Sequence, residues 1–323
     1  MKDGYFICAS EVHLMPHRTD LEYFPRVGPW HEAVQRYLKW IVHPDCTPED
    51  LPKSWNAEDL IRDMDRAGVD VGFALRECMM DAHGYSSPMS TNGWVAEQAA
   101  KYPNRLLLEA NVGPILFRGV KHAIWELNYW VKERDCRLVK VYQPEDSGPI
   151  NDPGLWPFYE AVQELGVTLT VHTGMAAVAP NKFKYAHPVQ LDDVLTDFPD
   201  LKVIAYHMGW PYTDELTFLA AKFPNLYMGM SGMVGWWTNA PYRGYHAIGM
   251  AVQMCGVEKL VFVGEWPPVD LPRVVDWIIN LDMPDQLCEQ WGYRKLTRKD
   301  KQLMLGETLA KLTRIEMTPR IHV

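Results

Sequence analysis

Residues 167–209 read VTLTVHTGMAAVAPNKFKYAHPVQLDDVLTDFPDLKVIAYHMG. Two short apolar runs in this stretch each end in a histidine followed closely by glycine, and an amphipathic run, Val189–Phe198, separates them. We predict strand, helix, strand, with the two strands parallel because the connection is long enough for a crossover. His172 and His207 close their strands and should therefore lie side by side at the carboxyl-terminal rim of the sheet. Either histidine alone would more often be a core or capping residue, but the repeated ending favours a site.

The alternation of strand and helix extends over the rest of the chain. Together with the length of 323 residues, it predicts a (β/α)8 TIM barrel that forms a single domain over residues 1–323, rather than an open sheet. The predicted strands are Tyr5–Ser10, Val69–Leu75, Arg105–Val112, Leu138–Tyr142, the two runs ending at His172 and His207, Asn225–Met230 and Lys259–Val263.

The segment 14–56 is too long for a plain connection between a strand and a helix, and it contains many prolines, tryptophans and tyrosines. Long loops in compact domains are usually functional covers or disordered segments. The aromatic content favours an ordered cover. We therefore predict a lid inserted after the first strand, over the rim where that strand ends.

Composition excludes several classes of protein. The formal net charge of -9, with no local cluster of basic residues, argues against a nucleic-acid partner. No run of about 18 apolar residues is present that could span a bilayer, so we expect no membrane association. The six cysteines lack CxxC spacing and the first residues lack the apolar core of a signal peptide. We expect reduced thiols and a cytoplasmic location.

In a barrel, polar residues that end different strands converge on one mouth. Here they are Glu11 and His13 from the first strand, His172, His207, and Glu265 from the eighth. Imidazole nitrogens and carboxylate oxygens are the ligands that zinc and similar divalent ions accept. Residues i and i+2 on a strand point to one face, so Glu11 and His13 could both reach one ion. The sequence therefore predicts a divalent metal site, with zinc favoured and manganese as the alternative.

These motifs also carry a resemblance. The segments VHLMP (12–16), VHTG (171–174), HPVQLDDVLTDFPDLKVIAYHMGWP (187–211) and FVGEWP (262–267) resemble the amidohydrolase-related family that includes aminocarboxymuconate semialdehyde decarboxylase and the hydroxybenzoate decarboxylases. The resemblance covers nearly the whole chain. Most of that family has His-x-His in strand one, whereas the decarboxylases resembling γ-resorcylate decarboxylase have Glu-x-His, as Glu11 and His13 do here.

The resemblance implies roles for the residues at the strand ends. It implies that His172 is a metal ligand and that His207 is a ligand or a catalytic group beside the metal. It also implies that the acid ending strand eight binds metal and moves protons, but the family usually has Asp where this chain has Glu265. The extra methylene leaves three roles open for Glu265: ligation with a displaced backbone, action through water, or no ligation.

The residues alone suit more than one reaction, but the Glu-x-His resemblance implies a metal-dependent decarboxylase of a small aromatic or unsaturated carboxylic acid, which is our prediction. Glu265 would carry the proton that replaces the carboxyl group, and His207 would stabilise an oxyanion or orient the acid. The alternative is a hydrolase of an amide, lactone or C–C bond that uses the same metal and residues. A third possibility is a barrel that has lost its metal because of Glu265. The relatives imply a homodimer.

Two further residues carry paired interpretations. Arg76, at the end of strand two, could bind a substrate carboxylate or form an ion pair with Glu77 or a loop acid. Lys140, within strand four, could be a carboxylated metal bridge, but an ion pair with a carboxylate inside the barrel is the simpler interpretation.

Tryptophans near strand ends could stack on an aromatic substrate or pack the core. They are Trp210, Trp236, Trp237 and Trp266.

Overall fold

The structure is a computed structural model that describes residues 1–16, 55–76, 90–176, 181–231 and 233–320. Eight parallel strands form one sheet in which spatial order follows chain order. A bridge between Ser10 and Val263 joins the eighth strand back to the first, which confirms the predicted (β/α)8 barrel. The strands are β1 (Cys8–Leu14), β2 (Val71–Arg76), β3 (Leu106–Asn111), β4 (Leu138–Val141), β5 (Thr168–Val171), β6 (Val203–Ala205), β7 (Leu226–Met230) and β8 (Leu260–Phe262).

Helices follow the strands as the apolar periodicity predicts. The main ones are α1 (Ala57–Ala67), α2 (Asn92–Ala99), α3 (Val120–Asn128, continued by a π turn at Tyr129–Glu133), α4 (Trp156–Leu165), α5 (Leu191–Asp197), α6 (Thr213–Lys222), α7 (Pro241–Met254), α8 (Leu271–Ile279), α9 (Asp285–Trp291), α10 (Arg298–Gln302) and α11 (Thr308–Thr313). Shorter helices lie at Ile115–Arg118, Gln143–Asp146 and Met233–Trp237. In the described ranges, no helix combines the length and the apolar character that crossing a membrane requires.

Two apolar layers hold the barrel together. The inner layer includes Phe73, Leu138, Ile204 and Val261, one residue from each even-numbered strand, and Leu309 of α11 belongs to the same cluster. The outer layer lies between the strands and the surrounding helices. Because the interior is filled with side chains, the chemistry of the barrel is confined to its rim.

The first strand differs from its prediction. We predicted Tyr5–Ser10, with Glu11 and His13 beyond its end, but β1 runs to Leu14, which is paired with Arg76. The strand continues because its register shifts between Ala9 and Val12. Two residues of β1 therefore oppose one residue of β2, which is the pattern of a β-bulge.

Most of the predicted lid at 14–56 lies outside the described residues. Met15 and Trp55, at its two described ends, exchange two backbone hydrogen bonds of 2.9 and 3.1 Å. The chain therefore leaves the barrel and returns to it at one place. The lid itself stays a prediction.

The start of α10 gives a stability test. The carboxylate of Asp300 accepts two hydrogen bonds from the Arg294 guanidinium, of 2.6 and 3.0 Å, and one of 2.7 Å from the Thr297 N–H. The Thr297 hydroxyl accepts the Asp300 N–H in return, which completes a capping box. The Arg294 hydrogen bonds are the main cause that lowers the pKa of Asp300 to about 2.

We expect Asp300→Asn to lower the free energy of unfolding at pH 7 by about 1–2 kcal/mol, because it removes a cap and a charged acceptor. The lowered pKa makes this stabilisation complete above the unfolded pKa near 3.8, and it is lost as pH falls through about 2. The difference from wild type should therefore shrink between pH 4 and pH 2. Urea unfolding across this range measures it, with the exposed Asp282→Asn as control. A difference independent of pH would contradict the assignment.

Candidate metal centre

The two histidines meet at the carboxyl-terminal rim. His172 directly follows β5, and His207 lies one residue beyond the tyrosine that follows β6. Nε2 of His207 lies 2.9 Å from Nδ1 of His172. The prediction that these side chains lie side by side is confirmed.

The glycine after each histidine is required by the packing of the two loops. Gly174 has φ of 62°, and an added Cβ would lie 2.1 Å from the carbonyl oxygen of Trp210. The N–H of Met175 donates to that same oxygen at 2.9 Å. Gly209 also has a positive φ, of 65°. The strand-His-x-Gly ending therefore lets the segment after β5 pack directly on the segment after β6.

The backbone at His207 is held in a left-handed conformation, with φ of 62°. Non-glycine residues rarely adopt it, and such conformations concentrate at functional sites. The Thr173 hydroxyl donates to the Tyr206 carbonyl at 2.6 Å, and the Trp210 N–H donates to the His207 carbonyl at 3.0 Å. These bonds fix the turn that delivers the imidazole.

Glu11 completes a group of three. Among the described residues, one ligand atom each from Glu11, His172 and His207 lie within 4.8 Å of one another, and the three residues lie in the barrel mouth. The carboxylate oxygen Oε1 of Glu11 is 3.9 Å from Nε2 of His207. Glu11 sits in the β1 bulge with φ of 55°, so the bulge directs this side chain.

The chemistry of this group fits a divalent cation. Oε2 of Glu11 and Nε2 of His172 are buried and have no hydrogen-bond partner within the described ranges. Buried polar atoms without partners are costly, and each of these atoms is a metal ligand type. A carboxylate with two imidazoles is a donor set that zinc and similar ions accept. The residues present therefore suit the metal that the sequence predicts.

Burial controls the charge of His172. Loss of solvent lowers the pKa of this imidazole well below its usual range, and electrostatic interactions with His207 and Lys140 lower it further. His172 is therefore neutral near neutral pH. A neutral imidazole is the form that binds a metal ion.

Lys140 of β4 lies inside the barrel against the carboxylate of Glu11. Its ammonium group contacts Oε1 of Glu11 directly, and both side chains are almost fully buried. It also lies 5.0 Å from the centre of the Tyr206 ring. The interpretation of Lys140 as one member of a buried ion pair is confirmed.

Two of the four predicted ligands, Glu11 and His172, belong to the group, and two do not. His13 is buried on β1, and its backbone N–H donates to the Trp266 carbonyl at 2.8 Å. The bulge interrupts the plain alternation on which the pairing of Glu11 with His13 was argued. Glu265 instead lies beside His207, with its Oε2 at 3.5 Å from Nδ1. That His13 and Glu265 bind the metal ion therefore stays a prediction.

Arg76 ends β2 and is buried. Its Nε donates to the Asn111 carbonyl at 2.7 Å, and its Nη2 donates to the Gly113 carbonyl at 2.6 Å. These bonds tie the end of β2 to the end of β3. Binding of a substrate carboxylate stays a prediction, and Glu77, the alternative partner, lies outside the described residues.

The four tryptophans near strand ends divide into two pairs. Trp237 and Trp266 are each 2% exposed, so they pack in the core. Trp210 and Trp236 are partly exposed, and their rings meet edge to face with centroids 5.3 Å apart. Only the second pair has surface left for a ligand.

The sequence analysis missed two residues of the site. Ser231 directly follows β7, and its hydroxyl contacts Nδ1 of His207. Glu109 of β3 is fully buried, and its carboxylate accepts the backbone N–H of Glu11 at 2.9 Å. Burial is the main cause that raises the pKa of Glu109. A single acid within the apolar run LLLEANV was the signal that could have identified it.

Comparisons of the whole chain with known proteins give a family. The family model described as amidohydrolase matches residues 9–315. A curated relative, protein fluG of Emericella nidulans, is 31% identical over 62 residues, which are 19% of this chain and 7% of that protein. The chain thus spans a small part of that relative.

Solved structures share the fold at low sequence identity. An uncharacterised TIM-barrel protein of Bordetella bronchiseptica has a TM-score of 0.69 at 19% identity, over 95% of this chain and 98% of that one. The 5-carboxyvanillate decarboxylase LigW of Sphingomonas paucimobilis has a TM-score of 0.65 at 15% identity, over 97% and 100%. A dihydroxybenzoic acid decarboxylase of Polaromonas sp. JS666, with bound manganese and 2-nitroresorcinol, has a TM-score of 0.61 at 17% identity, over 96% of this chain and 97% of that one. At these identities the likeness concerns the fold.

Gly174 provides a test of the loop packing at the site. We expect Gly174→Ala to lower the free energy of unfolding by more than about 2 kcal/mol, because its Cβ would overlap the Trp210 carbonyl and its φ is positive. Thermal unfolding measures the loss. Gly93→Ala is the control, since its nearest new contact is 3.9 Å away. Equal melting temperatures for the two variants would contradict this account of the strand ending.

Proposed function

Because the chain belongs to the amidohydrolase family, we propose that it is a metal-dependent decarboxylase of a small aromatic or unsaturated carboxylic acid. The observation that carries the proposal is the buried group of Glu11, His172 and His207, in which Oε2 of Glu11 and Nε2 of His172 lack hydrogen-bond partners in the described ranges. The shared fold of 5-carboxyvanillate decarboxylase and dihydroxybenzoic acid decarboxylase supports the choice of reaction.

The side chains that would hold the ion are Glu11, His172 and His207. His13, two residues beyond Glu11 on the same strand, is a candidate for a further ligand. A bound divalent ion supplies positive charge that polarises the oxygens of a substrate. Manganese is supported by the relative that contains it, and zinc by the donor set.

His207 and Glu265 form the proton-handling pair. Decarboxylation breaks a C–C bond, leaves the electron pair on the substrate carbon, and requires a proton at that carbon. Glu265 is buried, and its Oε2 lies 3.5 Å from Nδ1 of His207, which the Ser231 hydroxyl also contacts. We assign donation of this proton to the Glu265 carboxyl group. We assign to His207 the role of orienting that carboxyl group.

The same side chains would also suit a hydrolase, in which Glu265 takes a proton from water and His207 polarises a carbonyl. The two reactions differ in their products. Decarboxylation releases carbon dioxide from the substrate, whereas hydrolysis of an amide, lactone or C–C bond does not.

We expect His172→Ala to bind less than about a tenth of an equivalent of metal, because two remaining ligands hold a divalent ion poorly. The wild type should bind close to one equivalent when it is produced with added zinc or manganese. Elemental analysis of purified protein measures both. His187→Ala is the control, since that side chain caps the turn before α5 by accepting the Val189 N–H. Full occupancy in His172→Ala would contradict its role, and a metal-free wild type would contradict the metal site.

We expect carbon dioxide release from at least one acid in a panel of hydroxybenzoates and muconate-like acids. Glu265→Gln should lower the turnover rate by about 10²–10⁴-fold while metal content is kept, because the proton donor is lost. Glu265→Asp shows whether the longer acid is needed. Glu160→Gln is the control, on the exposed face of α4. Hydrolysis products without carbon dioxide would replace the decarboxylase by the hydrolase.

A further inference from the structure

Glu109 forms hydrogen bonds to three other strands or strand ends of the barrel. It lies in β3 and has no exposed surface. Its Oε2 accepts the Glu11 N–H at 2.9 Å, and its Oε1 accepts the Thr170 hydroxyl at 2.6 Å and the Tyr206 hydroxyl at 2.7 Å. One buried carboxylate thus has three hydrogen-bond donors.

These donors stand where the candidate ligands leave the barrel. Thr170 precedes His172 by two residues on β5, and Tyr206 directly precedes His207 after β6. The third donor is the main chain of Glu11 itself. Glu109 therefore forms a hydrogen bond with each candidate ligand itself or with a residue no more than two positions before it in the chain.

The bond to Glu11 supports an unusual backbone. The β1 bulge places Glu11 at φ of 55°, a left-handed conformation that is unfavourable for an L-residue. The Glu109 carboxylate accepts the N–H of that residue. This hydrogen bond satisfies the buried N–H in that conformation and thereby supports the direction of the Glu11 side chain.

The position of the Tyr206 ring is also specified. Gly229 of β7 lies against it, and a Cβ there would come within 2.7 Å of the ring atom Cδ1. The absence of that Cβ lets the ring lie where its hydroxyl reaches Glu109, and the Tyr206 carbonyl accepts the Thr173 hydroxyl at 2.6 Å. The ring is therefore constrained at its face, at its hydroxyl and through its carbonyl.

We propose that Glu109 is a positioning residue that sets the separation of the candidate ligands Glu11, His172 and His207. The inference rests on the proposed metal-dependent function and deepens it. A buried carboxylate contributes little net stability compared with an apolar side chain of similar size. Three donors reach it from the segments that deliver the ligands, which points to a role in their geometry.

The test compares metal affinity with stability in Glu109→Gln. The amide keeps the shape but replaces one acceptor oxygen by a donor, which faces a hydroxyl or an N–H. We expect zinc or manganese to bind about 10–100-fold more weakly than to wild type, as loss of a residue that orients ligands usually produces. Calorimetric titration of metal-free protein measures the affinity, and thermal unfolding in chelator measures the stability.

Glu126→Gln is the matched control. Its carboxylate accepts hydrogen bonds from Asn92 at 2.9 Å, Trp130 at 3.0 Å and Arg118 at 2.5 Å, in the helical layer outside the barrel. We expect it to lower the melting temperature without changing metal affinity. If Glu109→Gln does the same, Glu109 is merely structural and the inference is overturned.

Two milder variants keep the test valid if Glu109→Gln does not fold. Thr170→Val and Tyr206→Phe each remove one donor to Glu109. Each should weaken metal binding by a smaller factor than Glu109→Gln, and affinities equal to wild type in both would also overturn the inference. A wild-type protein that binds no metal would overturn the proposed function together with this inference. Normal metal binding in every variant would overturn the inference alone.

Discussion

Parallel closure of eight strands is the constraint on which the site depends. Because every strand points the same way and the last strand meets the first through Ser10 and Val263, all carboxyl ends share one rim. Side chains separated by nearly 200 residues in sequence, such as Glu11 and His207, thereby come within 3.9 Å of each other. The filled interior below them leaves the rim as the place where polar groups collect.

Backbone strain marks the residues that matter at this rim. Glu11, His207 and Glu265 all have positive φ, and each contributes a buried polar side chain. Such conformations persist only where surrounding contacts impose them. Here those contacts are the carboxylate of Glu109 and the loop packing around Gly174. The arrangement of the site therefore depends on a few specific hydrogen bonds as well as on the fold.

Periodicity and spacing predicted the barrel and the adjacency of His172 and His207, because strand endings follow from local patterns. Helix α1 ends at Ala67 because Gly68 stops it in a left-handed conformation, a signal that the sequence carries locally. Helix α9 carries little periodic signal in the sequence, because it is short and Leu287 is its one buried residue. The β1 bulge was missed, since a shift of register depends on pairing with β2 and leaves no local pattern.

Because the sequence gives no local sign of the bulge, the arrangement of the candidate metal ligands on β1 could not be predicted in full. Alternation along β1 predicted that Glu11 and His13 share one face, but the bulge at Glu11 interrupts that alternation, so a shared role of the two as ligands stays a prediction. A metal-soaked crystal, with anomalous scattering recorded at the manganese or zinc edge, tests the central claim directly. The account predicts one strong peak about 2.0–2.3 Å from a Glu11 oxygen and a His172 nitrogen. A peak elsewhere in the barrel, or none after saturation with metal, would contradict it.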